Sequence, residues 1–196
     1  MRYKATITVG SLKVRESRVV ADLLLQGVDE NAWNLAIEEE NILQARNPST
    51  AKRLGGFLRK RLATMNEELW AFVRDGSAIV ATHACLAASV KHSPLLGDFL
   101  DLVVREEYRL FSPALSVNLW AKYVEECRAR DPEMPEWNQS TIDRLRSTVF
   151  QILAQAGYIE NTRTLRLQTN HIATEVLRNL REHDERYVLR CIEVAP

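Results

Sequence analysis

The chain has 196 residues, 26 Lys and Arg against 26 Asp and Glu, and a hydrophobic content of 46%. That length supports one sizeable core or two small helical ones, and the composition excludes a disordered or fibrous chain. Balanced charge excludes a global field that would draw the molecule to nucleic acid, so any such binding has to come from local patches.

In chain order, Tyr3 to Val9 alternates Ala5, Ile7 and Val9 with polar residues and is compatible with a short strand. Leu12 to Gln26 reads as an amphipathic helix, with Val19, Val20, Leu23 and Leu24 inward and Gly27 as its stop. A second helix, Glu30 to Gln44, sets Trp33, Ile37 and Leu43 along one side and leaves the acidic run Glu38-Glu39-Glu40 largely in solvent.

Pro48-Ser49-Thr50 marks a break and a new helix start, running to about Met65. This helix carries Lys52, Arg53, Arg59, Lys60 and Arg61, and no acidic residue occurs between Asn41 and Asn66. Gly55-Gly56 inside it costs about 1 kcal/mol each relative to Ala. Close approach by another element is the usual compensation, which predicts tight packing on Leu54, Phe57, Leu58 and Leu62.

Glu67 to Arg74 and Ser77 to Val90 read as two further helices, the second apolar around most of its circumference and therefore central. Pro94 and Gly97 introduce a helix through Phe99, Leu100, Val103 and Val104, and Pro113 closes the region. A domain boundary is expected there, between a helical domain over 1–112 and a second domain over 113–196. Ser116 to Arg130 is another helix, and the two prolines of Asp131 to Pro135 make the following segment a linker, with Trp137 anchoring it.

The stretch from Asn138 to Asn170 organises the second domain. Ser140 and Asp143 stand at capping-box spacing and predict the helix start. Ile142, Leu145, Val149, Ile152, Leu153 and Ala156 then share one face, opposite Arg144, Thr148, Gln151 and Gln155. Gly157 ends the helix, and Tyr158-Ile159 with Leu165-Arg166-Leu167 predicts a small β-hairpin around a turn carrying Arg163. A helix from His171 to His183 and a strand from Tyr187 to Val194 complete the expectation. The fold class is thus mainly α, a helical N-terminal domain plus a C-terminal winged-helix-like element with a small β-hairpin.

A duplex-binding helix presents polar and cationic side chains to phosphates and base edges. Asn138, Gln139, Thr141, Arg144, Ser147 and Gln151 supply that chemistry, and Arg163 and Arg166 can reach a neighbouring backbone. Lys52, Arg53, Arg59, Lys60 and Arg61 form a second candidate phosphate-binding patch. The bland readings are that winged folds also serve as protein-interaction modules, and that most charge runs are solvated faces. The connection from Arg130 to Ser140 is also far longer than the tight turn of a standard helix-turn-helix.

Catalysis has little support. His83, His92, His171 and His183 fall in no zinc-ligand spacing, and there is no phosphate-binding glycine loop or nucleophile elbow. The reading is a non-enzyme without cofactor or metal. Cys85, Cys127 and Cys191 are isolated, so a reduced, cytoplasmic setting is expected. The apolar stretch from Ser77 to Val90 is broken by His83 and too short to cross a bilayer, so no membrane association is expected.

The chain resembles the BrxA family of BREX phage-exclusion systems along almost its whole length. The resemblance rests on Tyr3, Ser11-Leu12, Glu16-Ser17, Ala21 and Leu24, then Glu40-Asn41-Ile42-Leu43-Gln44, Thr50, Arg53 and Arg61-Leu62. It continues through Phe99, Val103-Val104-Arg105, Trp137, Ser140-Thr141, Arg144 and Leu153 to Tyr158. It implies a helical protein whose N-terminal part is similar to the RNA-binding antitermination factor NusB and which binds double-stranded DNA. Few side chains are placed to read bases, so weak sequence preference is expected. The implied partners are the other BREX proteins, namely a methyltransferase, a phosphatase-like protein, an ATPase and a Lon-like protein. The family supplies no set of DNA-contacting residues for this chain, so the candidate residues are those read from its basic and polar faces. Two alternatives stand beside this one: a scaffold for BREX subunits using the acidic surfaces around Glu38 to Glu40 and Glu125 to Glu136, and an RNA-binding protein of NusB type.

Overall fold

A computed structural model describes residues 2–194 and is mainly helical. Helices α1 (Val14–Leu25), α2 (Glu30–Asn34), α3 (Pro48–Leu62), α4 (Glu67–Asp75) and α5 (Ala78–His92) come first. Then α6 (Pro94–Asp98), a π-helical segment (Phe99–Val104) and α7 (Arg105–Arg109) run on without a break. After them come α8 (Asn118–Arg130), α9 (Gln139–Gln155), α10 (Thr174–Glu182) and α11 (Arg186–Ile192).

Local chemistry sets many of the starts. Asp29, Asn47, Asn66, Ser77 and Asn138 each accept a bond from the backbone N–H three residues on, satisfying a donor that the helix leaves free. Pro48 and Pro94 occupy first-turn positions, where a missing N–H costs nothing. At the centre lies α5, whose Ala81, Ala84, Ala87 and Ala88 are fully buried. Small side chains there let α1, α3, α4, α10 and α11 all pack against it. Around Phe99 a second part of the core gathers Trp120 and Tyr123, each with its ring centroid 5.2 Å away, and Phe150 at 6.3 Å.

The first dozen residues act as a strap. Tyr3 donates its hydroxyl to buried Asp98 (2.7 Å), and the amides of Arg2 and Tyr3 bond the Asp131 carboxylate. Further along, the Leu12 amide donates to Gln155 Oε1 of α9 at 3.1 Å. Segment 2–12 thus joins α6, the end of α8 and α9, and α9 packs on its 3-10 turn, Thr6–Val9.

Several sequence expectations are corrected. Tyr3 to Val9 is no strand: Thr8 N–H bonds Ala5 O and Gly10 N–H bonds Ile7 O, so the segment satisfies itself locally in a 3-10 turn. Tyr187 to Val194 is mostly helix, because Val188, Cys191 and Ile192 are buried at helical rather than alternating spacing. The Glu30 to Gln44 helix is interrupted by a π turn at Leu35–Glu39, followed by Asn41 and Gln44 at positive φ. In α9 the cap is Asn138, not Ser140, whose hydroxyl instead bonds the Asn138 side chain.

The expected hairpin is reduced to single antiparallel bridges, Ile159 with Leu167 and Ala114 with Arg166. Glu160 N–H donates to Arg166 O (2.8 Å) and Gln168 N–H to Tyr158 O (3.0 Å). On the other side Leu115 N–H donates to Leu165 O and Leu167 N–H to Pro113 O. Longer strands are blocked by the turn: Asn161 Oδ1 accepts from Arg163 N–H and Thr164 N–H, and Leu165 sits at φ 51°.

Candidate nucleic-acid interface

The buried side of α9 is Leu145, Thr148, Val149, Phe150, Ile152 and Leu153, so most of the expected core face lies inward. Thr148 departs from the expected outer face, since it is buried with its hydroxyl donated to Arg144 O. Gln155 is exposed, but its side chain holds the Leu12 amide. What remains outward is a ridge of Arg144, Ser147 and Gln151, at helical spacings of three and four residues.

Beside this ridge lies a cleft of about 480 Å³ between α9 and the 161–165 turn, lined by Val117, Arg146, Ser147, Phe150, Gln151, Thr162, Arg163 and Leu165. Three residues expected from sequence, Ser147, Gln151 and Arg163, meet here. Gln139, bonded to Asp143 Oδ1 (3.2 Å), and Thr141 stand one or two turns earlier on α9, while Arg166 is exposed on the bridged segment. Arg144, Arg163 and Arg166 have no carboxylate within ion-pair distance among the described residues. Their charge is therefore available to a ligand.

Sequence reasoning missed Arg146, which pairs with Asp143 at 3.2 Å and lines the same cleft. The signal was present: a helical wheel puts Arg146 and Phe150 together on the flank between the core face and the outer ridge. Dividing α9 into only two faces hid that flank.

The second basic region is more heterogeneous. Lys52 is exposed but paired with Glu38 at 3.0 Å. Arg59 pairs with Glu30 at 2.8 Å, and its guanidinium lies 4.5 Å from the centre of the Trp33 ring. Arg53 and Lys60 are exposed with no ion-pair partner among the described residues. Arg61 is fully buried: it donates to Ser11 O (2.8 Å) and Gly10 O (3.4 Å), lies over the Phe57 ring, and is pulled by burial to a pKa of about 10. It stays charged at neutral pH, yet it faces the strap and not the surface.

Lys52, Arg53, Arg59 and Lys60 border a cleft of about 730 Å³ with Thr6, Val9, Trp33, Gly56, Phe57 and His92 in its walls. Gly55 behaves as expected, since an added Cβ would come within 3.1 Å of Ile37 Cγ2. Gly56 does not, because a Cβ there would meet nothing within 4 Å.

Among the described residues no group of three or more His, Cys, Asp or Glu could hold a metal, and no helix is long and apolar enough to cross a membrane. Cys85, Cys127 and Cys191 are free and buried, and burial pushes the Cys85 thiol up to about 11. His83 is held by the Ala173 amide, which donates to Nδ1 at 3.0 Å, as befits a core histidine.

Comparison with known proteins places this geometry in context. The family model described as BrxA matches residues 1–184. A "BREX protein BrxA" of Paramagnetospirillum magneticum is 54% identical over 194 residues, covering 99% of this chain and 98% of the relative. Another of that description, from Escherichia coli O9:H4 (strain HS), is 35% identical over 178 residues, covering 89% and 84%. A crystal structure of an uncharacterized protein from Magnetospirillum magneticum superposes with a TM-score of 0.94 at 52% identity, covering 100% of both chains.

Proposed function

Because the chain belongs to the BrxA family, we propose that it is a cytoplasmic, non-catalytic accessory protein of a BREX phage-defence system that binds double-stranded DNA through the cleft beside α9. The observation that carries this reading is the convergence of Ser147, Gln151, Arg146 and Arg163 on one cleft, with unpaired Arg144 and Arg166 beside it. Guanidinium and amide groups on a helix ridge suit phosphates and base edges. A bridged turn alongside suits the neighbouring backbone.

The element order gives further support. A helix ending at Arg109, a short paired segment at 113–115, α8, α9 and then two short paired segments follow the sequence of a reduced winged helix. In this reading residues 1–112 form the NusB-like platform and residues 113–196 carry the duplex contact, although α11 folds back to pack on α5. Arg53 and Lys60 on α3 add weaker phosphate contacts. Few side chains reach base edges, so sequence preference is weak.

A second reading draws on an apolar surface at the end of α7. Phe111 is 88% exposed and Leu110 63%, with Leu102 exposed one π-helical segment earlier. Such a surface suits docking to another BREX protein, for instance the methyltransferase or ATPase component. Fluorescence anisotropy of a labelled duplex, with unlabelled DNA and structured RNA of matched length as competitors, tests the first reading. DNA competing at least as well as RNA supports it. Tighter RNA binding would favour the NusB-type alternative, and no binding at low salt would favour docking.

A further inference from the structure

We propose that the cleft beside α3 is a binding site for a nucleoside phosphate, with the base stacked on Arg59 and the phosphate held by Arg53 and Lys60. This site is separate from the α9 cleft; it shares Arg53 and Lys60 with the weaker duplex contacts proposed above, and nucleotide binding there needs no duplex.

Four observations converge on it. Gly56 lies in the middle of α3, where glycine is unfavourable, and no atom of the chain comes near the position a side chain would take. The space it leaves open belongs to the cleft, so a ligand can approach the α3 backbone closely there. Arg59 is clamped from below by the Trp33 ring at 4.5 Å and from the side by Glu30 at 2.8 Å. Its guanidinium plane is thereby fixed before any ligand arrives, and a planar base stacks on such a surface.

The walls also carry unused polar atoms. Thr6 Oγ1 and His92 Nδ1 are buried without a hydrogen-bond partner, and both residues line the cleft. Both atoms lie beneath the wall surface, and rotation of either side chain on binding would turn them to a base edge or ribose hydroxyl. Finally, cations outnumber carboxylates in the lining: Lys52, Arg53, Arg59 and Lys60 stand against Glu30 and Glu38, buried Arg61 lies behind them with only carbonyl partners, and Arg53 and Lys60 carry no ion pair among the described residues. His92 registers this field, since its pKa is lowered by burial first and then by Arg61 and Lys60. A duplex presents a convex backbone with its bases turned inward, which does not fill a concave cleft of about 730 Å³. A single nucleotide unit does, and that volume is typical of small-molecule sites.

The test is calorimetric titration of the full chain with ADP, inorganic phosphate and a 5′-phosphorylated single-stranded tetranucleotide. Three variants run alongside: Gly56→Leu, Arg53→Ala/Lys60→Ala, and Arg144→Ala/Arg163→Ala/Arg166→Ala. Saturable binding of one ADP per chain is expected, tenfold or more weaker in the first two variants and unchanged in the third. Gly56→Leu places a helix-favouring side chain into open space, and a melting temperature equal to or above that of the unaltered chain checks that it folds. If the tetranucleotide displaces ADP, the ligand is a strand end; if it does not bind, the ligand is a free nucleotide. Absence of saturable ADP binding would overturn the proposal, as would full affinity in Gly56→Leu or phosphate binding as tightly as ADP.

Discussion

The two basic regions differ in what their charges are doing. On α3 five cations crowd into ten residues, yet Arg61 is buried, Lys52 and Arg59 are paired with Glu38 and Glu30, and only Arg53 and Lys60 stand free of ion pairs among the described residues. Around α9 four arginines are spread over twenty-three residues, and among the described residues only Arg146 is paired, with Asp143. Charge density in sequence therefore ranks the regions one way and available charge ranks them the other. A long-range partner neutralises a cation as effectively as a neighbour in sequence.

The largest effect is expected at Arg61. If it is a strap residue, Arg61→Ala takes the guanidinium donor from the carbonyls of Gly10 and Ser11, leaves Leu12 O with only the Ser17 hydroxyl among the side-chain donors, and opens a cavity under Phe57. A loss of about 3 kcal/mol in denaturant unfolding is expected. Duplex affinity of the folded fraction should stay unchanged.

Next in size is Arg144→Ala/Arg163→Ala/Arg166→Ala. Each phosphate contact contributes about 0.9 to the slope of log affinity against log salt, so this variant should lower that slope by up to about 2.7. Its melting temperature should hold, since all three side chains are exposed.

A pH effect should appear in stability more than in binding. Burial lowers the folded pKa of both His83 and His92 below 6.5, so the native state favours the neutral rings. The unfolded chain then binds protons first as pH falls. Stability is complete above about pH 6.5 and declines toward pH 5, as thermal melts across that range should show. His83 adds a reason of its own, because a protonated Nδ1 cannot accept from the Ala173 amide.

The smallest effects are expected at the paired α3 cations. Lys52→Ala and Arg59→Ala remove exposed ion pairs, which contribute at most about 1 kcal/mol, and should change duplex affinity less than twofold. Gly56→Ala should raise stability by about 0.5–1 kcal/mol in the same unfolding assay.

Much of the helical layout is legible in the sequence because its signals are local. Asn66 and Ser77 cap, Pro48 and Pro94 open first turns, and the alanine face of α5 marks a central helix. The misreadings come where local and tertiary preferences diverge. Tyr187 to Val194 alternates like a strand, but Tyr187 donates its hydroxyl to Asp98 (2.8 Å), and Val188, Cys191 and Ile192 turn into the core at helical spacing. The ridge of α9 was readable from periodicity. The cleft beside it was not, since Val117 and Thr162 reach it only through the pairing of 113–115 with 165–167. Likewise Glu30 and Glu38 precede α3 by a loop, and nothing local announces that they neutralise it.

The two basic regions are separated by the salt dependence of duplex binding, measured by anisotropy for the unaltered chain, for Arg144→Ala/Arg163→Ala/Arg166→Ala, and for Arg53→Ala/Lys60→Ala. If the α9 surface carries the duplex contact, the α9 variant loses most of the slope and the α3 variant a minor part. A larger loss in the α3 variant would contradict it, and the charge density of the sequence would then have been the better guide.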